Sequence, residues 1–374
     1  MKKSILFIAD RPNWAYEYMI KAWLPFLLEE YDCFIAFDDD YSIKKINSKS
    51  WIFRLITNFK SCVKLIIFQL INKNKAVYFI DKTFSYYYPK YPSDKLYQYK
   101  TDLSRTLSEK KKFDIKVEMA YYFQYMAELP FSADKNIVGI FTDKFPHEGP
   151  TYDLKNKIDR SLLTQKEFFD KYIKSYSHLI VGGGNLLSIY KKLTDNVNFV
   201  YGIFGQDQFI ENQKVGKNEF LTIGWTGNPT RRMKGFEEYI LPAIENVKKT
   251  GRDIRLKTKF SGPYQDLFTF YKDVDLVIVA SDADSGPSMY GEASLSNVPC
   301  ISTKVGLPLM GIKNNETGFL IDREIKDLEN HIIKLYDDRE LLGSMAQKVK
   351  TDYLKWMDNK LTIEQFKAVL KTKN

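Results

Sequence analysis

Three segments, residues 5–9 (ILFIA), 33–37 (CFIAF) and 276–280 (LVIVA), are apolar at every position rather than at every second or third. A strand with no polar face has to be buried on both sides, which happens in parallel sheets covered by helices. Residues 13–30 follow the first run at helical spacing, so the chain opens as β-α-β. Further strands are predicted over 77–80, 113–117, 137–142, 178–181 and 197–201, then over 220–225, 255–260, 301–303 and 319–321, with a helix over 236–249. Strands alternating with helices in both halves imply an α/β protein of two doubly wound domains facing one another across a cleft. A length of 374 residues accommodates two domains. The polar stretch after Gly205 reads as the linker, which divides the chain into residues 1–205 and a second domain starting at 206.

Composition excludes several classes. Hydrophobic residues at 44% and aromatics at 15% supply a core, so the chain is not disordered. Cys33, Cys62 and Cys300 lie far apart, which predicts a reduced, cytoplasmic protein without disulfides or zinc. The first apolar run stops at Asp10 with no small-residue cleavage site, so it reads as a buried strand and not a signal. The net charge of +9 is concentrated: eight basic residues and no acid lie between Tyr41 and Lys75. Such an excess asks for an anionic partner.

Residues 51–71 are long and apolar, but Arg54, Lys60 and Lys64 interrupt them, which argues against a membrane span. Arg54, Thr57, Ser61 and Lys64 repeat at three and four residues and draw a basic stripe along a helix. Two readings stay open, an interfacial helix on an anionic membrane and a core-packed helix with a solvated face. Residues 86–99, rich in Tyr and Pro, read as a surface loop whose rings either pack or stack on a sugar. The Gly-Gly-Gly-Asn at 182–185 follows a strand, but Leu187 stands where a dinucleotide motif needs its third glycine, so these read as tight-turn glycines.

The chemistry is concentrated in residues 281–320. Asp284 and Glu292 lie eight apart, with Ser285, Gly286 and Pro287 starting a helix between them. The N-terminus of a helix carries unpaired N–H groups and partial positive charge, so this loop suits an anionic ligand such as a phosphate. Arg11 and Asn13 lie in the loop after the first strand, where ligands bind in open α/β sheets.

These pieces resemble the retaining glycosyltransferases of family 4. Thr222 to Gly227 followed by Lys234-Gly235 is similar to the family's glycine turn with its Lys-Gly. Tyr271 to Val277 is similar to its run into the donor strand, and Asp284-Ser285-Gly286-Pro287 through Glu292-Ala293 to its E-x7-E element. Val298 to Ile301, Gly306 and Thr317 to Leu320 follow in order, and Phe204 to Asp207 with Phe209 resembles the segment closing its N-terminal domain. The resemblance covers about residues 178–321. It implies the GT-B fold of two Rossmann-like domains, with 1–205 binding acceptor, 206–355 binding donor, and 356–374 crossing back as a C-terminal helix.

The resemblance also implies roles. Glu292 would hold the nucleotide ribose, Lys234 the diphosphate, and Asp284, where the family has a longer glutamate, the donor sugar. Asn228 replaces the family's arginine after Gly227, which leaves Arg231 or Arg232 to supply charge. The family's N-terminal histidine is absent and Thr142-Asp143 occupies the nearest place, which makes Asp143 a candidate catalytic or acceptor-orienting group beside Asp284. With Asp284 given to the donor sugar, Lys234, an arginine and the helix start are expected to stabilise the leaving diphosphate without metal or other cofactor.

The implied reaction moves a sugar from a UDP- or GDP-sugar to a glycan or lipid-linked acceptor in bacterial surface polysaccharide or glycolipid synthesis. Arg11, Asn13, Arg54, Lys60 and Lys64 are placed on the acceptor or membrane side, and the protein in the cytoplasm or on the inner face of the membrane. Two alternatives are a phage-type nucleic-acid glucosyltransferase, with strongly salt-dependent binding, and a catalytically silent partner subunit.

Overall fold

The computed structural model describes residues 2–37, 78–80, 85–87, 95–121, 130–141, 152–153, 158–159 and 162–372. The basic segment 41–75, with Arg54, Lys60 and Lys64, and Asp143 lie outside these residues.

The first sheet is built from β1 (Lys3–Ala9), β2 (Tyr31–Phe37), β3 (Leu96–Tyr99), β4 (Arg105–Ser108), β5 (Lys112–Glu118), β6 (Ser132–Ile140), β7 (His178–Val181) and β8 (Val197–Phe199). Their order across the sheet is β8-β7-β6-β5-β1-β2-β3-β4. From β8 to β2 all pairs are parallel, and β1 is buried from Ser4 onward, as its unbroken apolar run requires.

β3 corrects the reading of residues 86–99 as a surface loop. Leu96 and Tyr99 are buried, and the strand pairs antiparallel with β2, after which β4 pairs antiparallel with β3. Leu96 and Tyr99, on opposite faces of this short strand, are both buried with Tyr97 and Gln98 half-buried between them, so no alternation marks the strand after the Tyr- and Pro-rich residues before it.

The second sheet contains β9 (Leu221–Thr226), β10 (Ile254–Lys259), β11 (Leu276–Val279), β12 (Cys300–Thr303) and β13 (Gly318–Ile321), ordered β10-β9-β11-β12-β13 and parallel throughout. The helices that matter below are α1 (Ala15–Leu27), α2 (Gly184–Tyr190), α3 (Leu241–Lys248), α4 (Ser288–Leu295), α5 (Gly306–Gly311), α6 (Ile325–Asp337), α7 (Arg339–Met357) and α8 (Asn359–Lys371). The helix expected over 236–249 begins as a wide π-type turn, Phe236–Ile240, and becomes regular only as α3. Pro242 stands where the π-type turn gives way to α3, and the widened turn accommodates the N–H that proline lacks.

The chain passes between the sheets twice, and the two passages are tied side by side. Asn359 donates from Nδ2 to Ile203 O at 2.8 Å and accepts from Ile203 N at 3.1 Å, while Gln206 bridges Met357 O and Asn359 N. The polar stretch after Gly205 is therefore packed rather than loose: Asn212 is buried and donates to Val274 O at 2.7 Å. Beyond the second passage α8 returns to the first sheet. Phe366 meets Trp23 of α1 at 4.7 Å between ring centroids, and Lys367 pairs with Glu30 at 2.7 Å. Lys135 of β6 caps the end of α8, donating to Val369 O at 2.6 Å and Thr372 O at 2.7 Å. Burying Phe366 alone stabilises this return by about 2 kcal/mol.

Candidate active site

In an open parallel sheet a ligand site forms outside the carboxyl ends of the strands, at the point where strand order reverses. In the second sheet that point lies between β9 and β11. The residues leaving these two strands are Thr226-Gly227 and Ala280-Ser281.

The chain from β9 turns back through Arg232–Lys234 to Gly235, whose φ of +69° is a left-handed conformation. A Cβ there would lie 2.5 Å from Ala280 O, so glycine is needed for both conformation and close approach. Asp282 N donates to Met233 O at 2.9 Å and fastens the two loops together. Their side chains then meet: the Lys234 ammonium donates to the Asp284 carboxylate, and Ser281 Oγ lies 3.5 Å from the same oxygen. Arg323, two residues past β13, supports this corner from beneath. It donates from Nε to Ala280 O at 2.9 Å and stacks over Tyr239 at 4.1 Å.

Beyond Asp284, Ser285 is fully buried, and its hydroxyl has no hydrogen-bond partner among the described residues. Its carbonyl accepts from Leu307 N at 3.0 Å. Gly306, at φ +34°, makes that approach feasible, since a Cβ would lie 2.0 Å from Ser285 O. Gly286 O accepts from the hydroxyl of Tyr201 at 2.8 Å, a contact from the segment that follows β8. α4 starts at Ser288 with no side-chain cap; Tyr290 N is given to Pro287 O at 3.0 Å, which leaves the N–H groups of Ser288 and Met289 for a ligand.

Glu292, one turn into α4, is 1% exposed. Tyr271 donates to its Oε2 at 2.7 Å and Tyr264 to its Oε1 at 3.2 Å, while Ser288 supplies a third hydrogen bond. Burial raises its pKa, and the three hydroxyl donors pull it partway back. Burial also pushes Tyr264 and Tyr271 upward, with the Glu292 charge adding to it, so both stay protonated donors.

The first sheet reverses its order between β1 and β5. The loop after β1 holds Arg11 and Asn13 there, with Arg11 stacked 4.0 Å over the ring of Trp14, itself 48% exposed. Asn13 adopts φ +58° and donates its N–H to Glu17 Oε2 at 2.5 Å. Glu17 is completely buried, with Tyr99 Oη at 3.0 Å and Lys21 and Arg105 each at 3.1 Å. A carboxylate so buried needs such partners, and here they fix the loop.

Lys234, Asp284, Ser285, Gly286, Pro287 and Glu292 thus gather at one switch point, and Gly227 lies at its edge against Trp225. Arg232 does not join them, because its guanidinium is committed to Glu238 at 2.7 Å on the exposed surface. Arg231 is exposed as well, with Nη2 beside Met233 Sδ at 3.3 Å. Gly182 and Gly183 make the short bend between β7 and α2, as expected, but without a left-handed φ. Gly183 is extended, and neither Gly182 nor Gly184 has a positive φ. Instead a Cβ on Gly182 would meet Phe141 at 2.5 Å and Ser285 Oγ at 3.1 Å, and one on Gly184 would meet Met310 at 3.0 Å. These glycines let the first sheet's loop lie against the second sheet's site.

Sequence reasoning missed Arg323, Tyr264 and the role of Tyr271. Arg323 follows a strand end, a signal available in sequence, whereas the tyrosines were lost among 25 of their kind.

Residues 242–352 match the family described as Glycosyl transferases group 1. No curated protein matches the chain. Among solved structures, a mutant of S. aureus TarM in complex with fondaparinux, alpha-GlcNAc-glycerol and UDP is similar, with a TM-score of 0.60 at 12% identity over 99% of this chain and 100% of its own. HepE from Anabaena in complex with UDP and glucose has a TM-score of 0.59 at 11% identity, over 99% and 100%. Sucrose-phosphate synthase from Thermosynechococcus elongatus reaches 0.60 at 9% identity, over 98% of each chain. At such identities the likeness is one of fold, and that fold is GT-B. With a glycosyl transferases group 1 domain over residues 242–352 and the GT-B fold around it, the protein is a glycosyltransferase.

Proposed function

We propose that this protein transfers a sugar from a UDP- or GDP-linked donor to a glycan or lipid-linked acceptor in the synthesis of a surface polysaccharide or glycolipid. The transfer proceeds with retention of configuration and without a metal ion, as in the glycosyltransferases of family 4. The observation that carries this reading is the convergence of Lys234, the unpartnered Ser285 hydroxyl and Glu292 at one switch point.

In this reading the bond between the sugar's anomeric carbon and the diphosphate oxygen breaks as a bond to the acceptor oxygen forms on the same face. Negative charge grows on the departing diphosphate. Lys234, the Ser285 hydroxyl and the uncapped start of α4 stabilise it, because fixed donors in a site shielded from water need no reorganisation. Glu292 binds ribose hydroxyls, and Asp284 orients both Lys234 and the sugar. Asp143 remains the candidate group on the acceptor side, together with Arg11 and Asn13. UDP in complex with two proteins of the same fold supports a uridine donor as the first to try.

Among the described residues no helix is long and apolar enough to cross a membrane. The basic segment 41–75 supports docking on an anionic membrane surface beside the acceptor. Flotation with anionic liposomes is expected; retardation of DNA instead would favour the nucleic-acid acceptor.

A panel of UDP- and GDP-sugars, screened by mass spectrometry against glycan and lipid-linked acceptors, tests the reaction. One donor should be consumed with retained anomeric configuration by NMR and undiminished rate in a chelator. An inverted product would overturn the stereochemistry, and loss of activity restored by manganese would overturn the metal-free step.

A further inference from the structure

Glu292, read above as the ribose ligand, already carries two tyrosyl hydroxyls, and these are not equivalent. Tyr271 is fully buried, and its hydroxyl also meets Thr226 Oγ1 at 3.2 Å. It belongs to the core. Tyr264 follows the exposed residues Ser261, Gly262 and Pro263, is half-buried as a residue, and its bond to Glu292 is the longer one, 3.2 Å against 2.7 Å. Gly262 adopts φ +102°, so the segment just before Tyr264 already uses glycine's freedom to turn.

Tyr264 is held from the other sheet. Tyr18 of α1 stacks on it with ring centroids 4.3 Å apart and planes inclined by 25°, and the Tyr18 hydroxyl meets the Tyr264 backbone. Phe204, in the passage between the sheets, lies 5.6 Å from Tyr18 and 5.9 Å from Tyr264. The next residue, Gly205, has φ +66°, and a Cβ there would strike Phe268 at 2.3 Å. One aromatic cluster therefore touches the Glu292 carboxylate, the first helix of the chain and the passage on which the two sheets would pivot.

We infer that Tyr264 gates the nucleotide site: its hydroxyl competes with a ribose hydroxyl for Glu292, and its displacement by a nucleoside diphosphate undoes the Tyr18 stack that joins the two sheets. This rests on the reading of Glu292 as the ribose ligand. The exchange conserves hydrogen bonding at the carboxylate, since a sugar O–H replaces a tyrosyl O–H. What is lost is the Tyr18–Tyr264 stack, and that loss couples donor binding to the seating of the two sheets. Tyr264 is on this view a positioning residue that sets donor affinity without belonging to the bound complex.

Calorimetric titration of the full chain with UDP, and separately with GDP, tests the gate. Tyr264→Phe keeps the ring and removes the competing hydroxyl, so the nucleotide that binds wild type should bind it about three- to tenfold tighter. Tyr18→Leu removes the partner that holds Tyr264 in place and should also tighten binding. The double variant should gain less than the product of the two factors, because both act on one closed arrangement. Small-angle scattering adds a second readout: nucleotide should change the radius of gyration of wild type, and Tyr18→Leu should show part of that change without it.

Unchanged or weaker binding by Tyr264→Phe, with wild type binding normally and Glu292→Gln impaired, overturns the gate and leaves the ribose assignment standing. Wild type that binds neither nucleotide, or Glu292→Gln that binds as well as wild type, overturns that assignment and the gate with it. Should Tyr264→Phe melt below the assay temperature, the Tyr18→Leu titration decides: weaker or unchanged binding there overturns the gate.

Discussion

At the switch point of the second sheet, the loops are fastened to one another through backbone atoms: Asp282 N to Met233 O, Leu307 N to Ser285 O, and Gly235 pressed against Ala280 O. At the switch point of the first sheet, the loop carrying Arg11 and Asn13 is held by the side chain of Glu17, itself held by Lys21, Arg105 and Tyr99. Close backbone approach demands glycine at fixed places and so leaves a short motif in the sequence. A loop held by side chains from distant strands can be built in many ways and leaves none.

The largest test of that contrast is Lys234→Ala. If backbone contacts hold the second site, the variant should lose about 100- to 1000-fold in kcat/KM, the cost of removing one preorganised charge-stabilising donor. Its melting temperature should stay within a few degrees of wild type, because the Asp282–Met233 bond and Gly235 remain. A large drop in melting temperature would show that the Lys234–Asp284 pair is what fastens the loops, and the contrast would fail.

The same contrast explains what could be read in advance. Strands β1, β2, β7 and β11 were legible because runs such as Leu276–Val279 leave no polar face to solvent, and β5 and β10 because apolar and polar residues alternate along them. Gly235, Gly286 and Gly306 stand where close approach demands glycine, whereas Lys234 and Glu292 were singled out by the resemblance to a family motif and not by any demand of the backbone. β3 and β4 were not legible, since their placement depends on pairing beside β2 and on a buried Glu17 that looks like an ordinary helix-surface glutamate in sequence. Arg231 and Arg232 were misplaced because proximity along the chain says nothing about direction. Glu238, six residues on, takes Arg232, and Arg323 reaches the corner from about ninety residues away.

Glu292 is the place where the second site does depend on side chains, and pH sharpens the comparison. Burial places its folded-state pKa above the ordinary 4.5. The fold therefore favours the neutral form: this contribution to stability is fully present below about 4.5 and is lost as pH rises through the raised value. Glutamine does not titrate. Denaturant midpoints of wild type relative to Glu292→Gln should accordingly fall between that acid range and neutrality. Nucleotide affinity of wild type relative to Glu292→Gln should run the other way, weakening as pH falls through the raised value because the carboxylate is the better acceptor. The diphosphate's own titration acts on both and cancels, and the variant should be about tenfold weaker at neutral pH. A wild-type profile that weakens only below 4.5 would mean that the tyrosyl and seryl hydroxyls compensate burial fully.

The smallest expected effect lies on the first sheet. Trp14 stands half exposed beside Arg11 at the carboxyl end of β1, and it accepts a single backbone bond, from Tyr18 N, that a replacement would retain. Its indole is free to offer one face to a sugar while Arg11 covers the other, and such contacts at exposed sites contribute about 0.5–1 kcal/mol. Trp14→Ala should raise the acceptor KM about two- to fivefold and leave the donor KM, kcat and melting temperature nearly unchanged. The link from Trp14 toward the donor site is its carbonyl, which accepts from Tyr18 N at the base of the Tyr18–Tyr264 stack, and the alanine variant keeps that bond. Equal changes in donor and acceptor KM would show that the loop after β1 is coupled to the donor site, and that Glu17 fixes a part of the catalytic cleft and not only an acceptor edge.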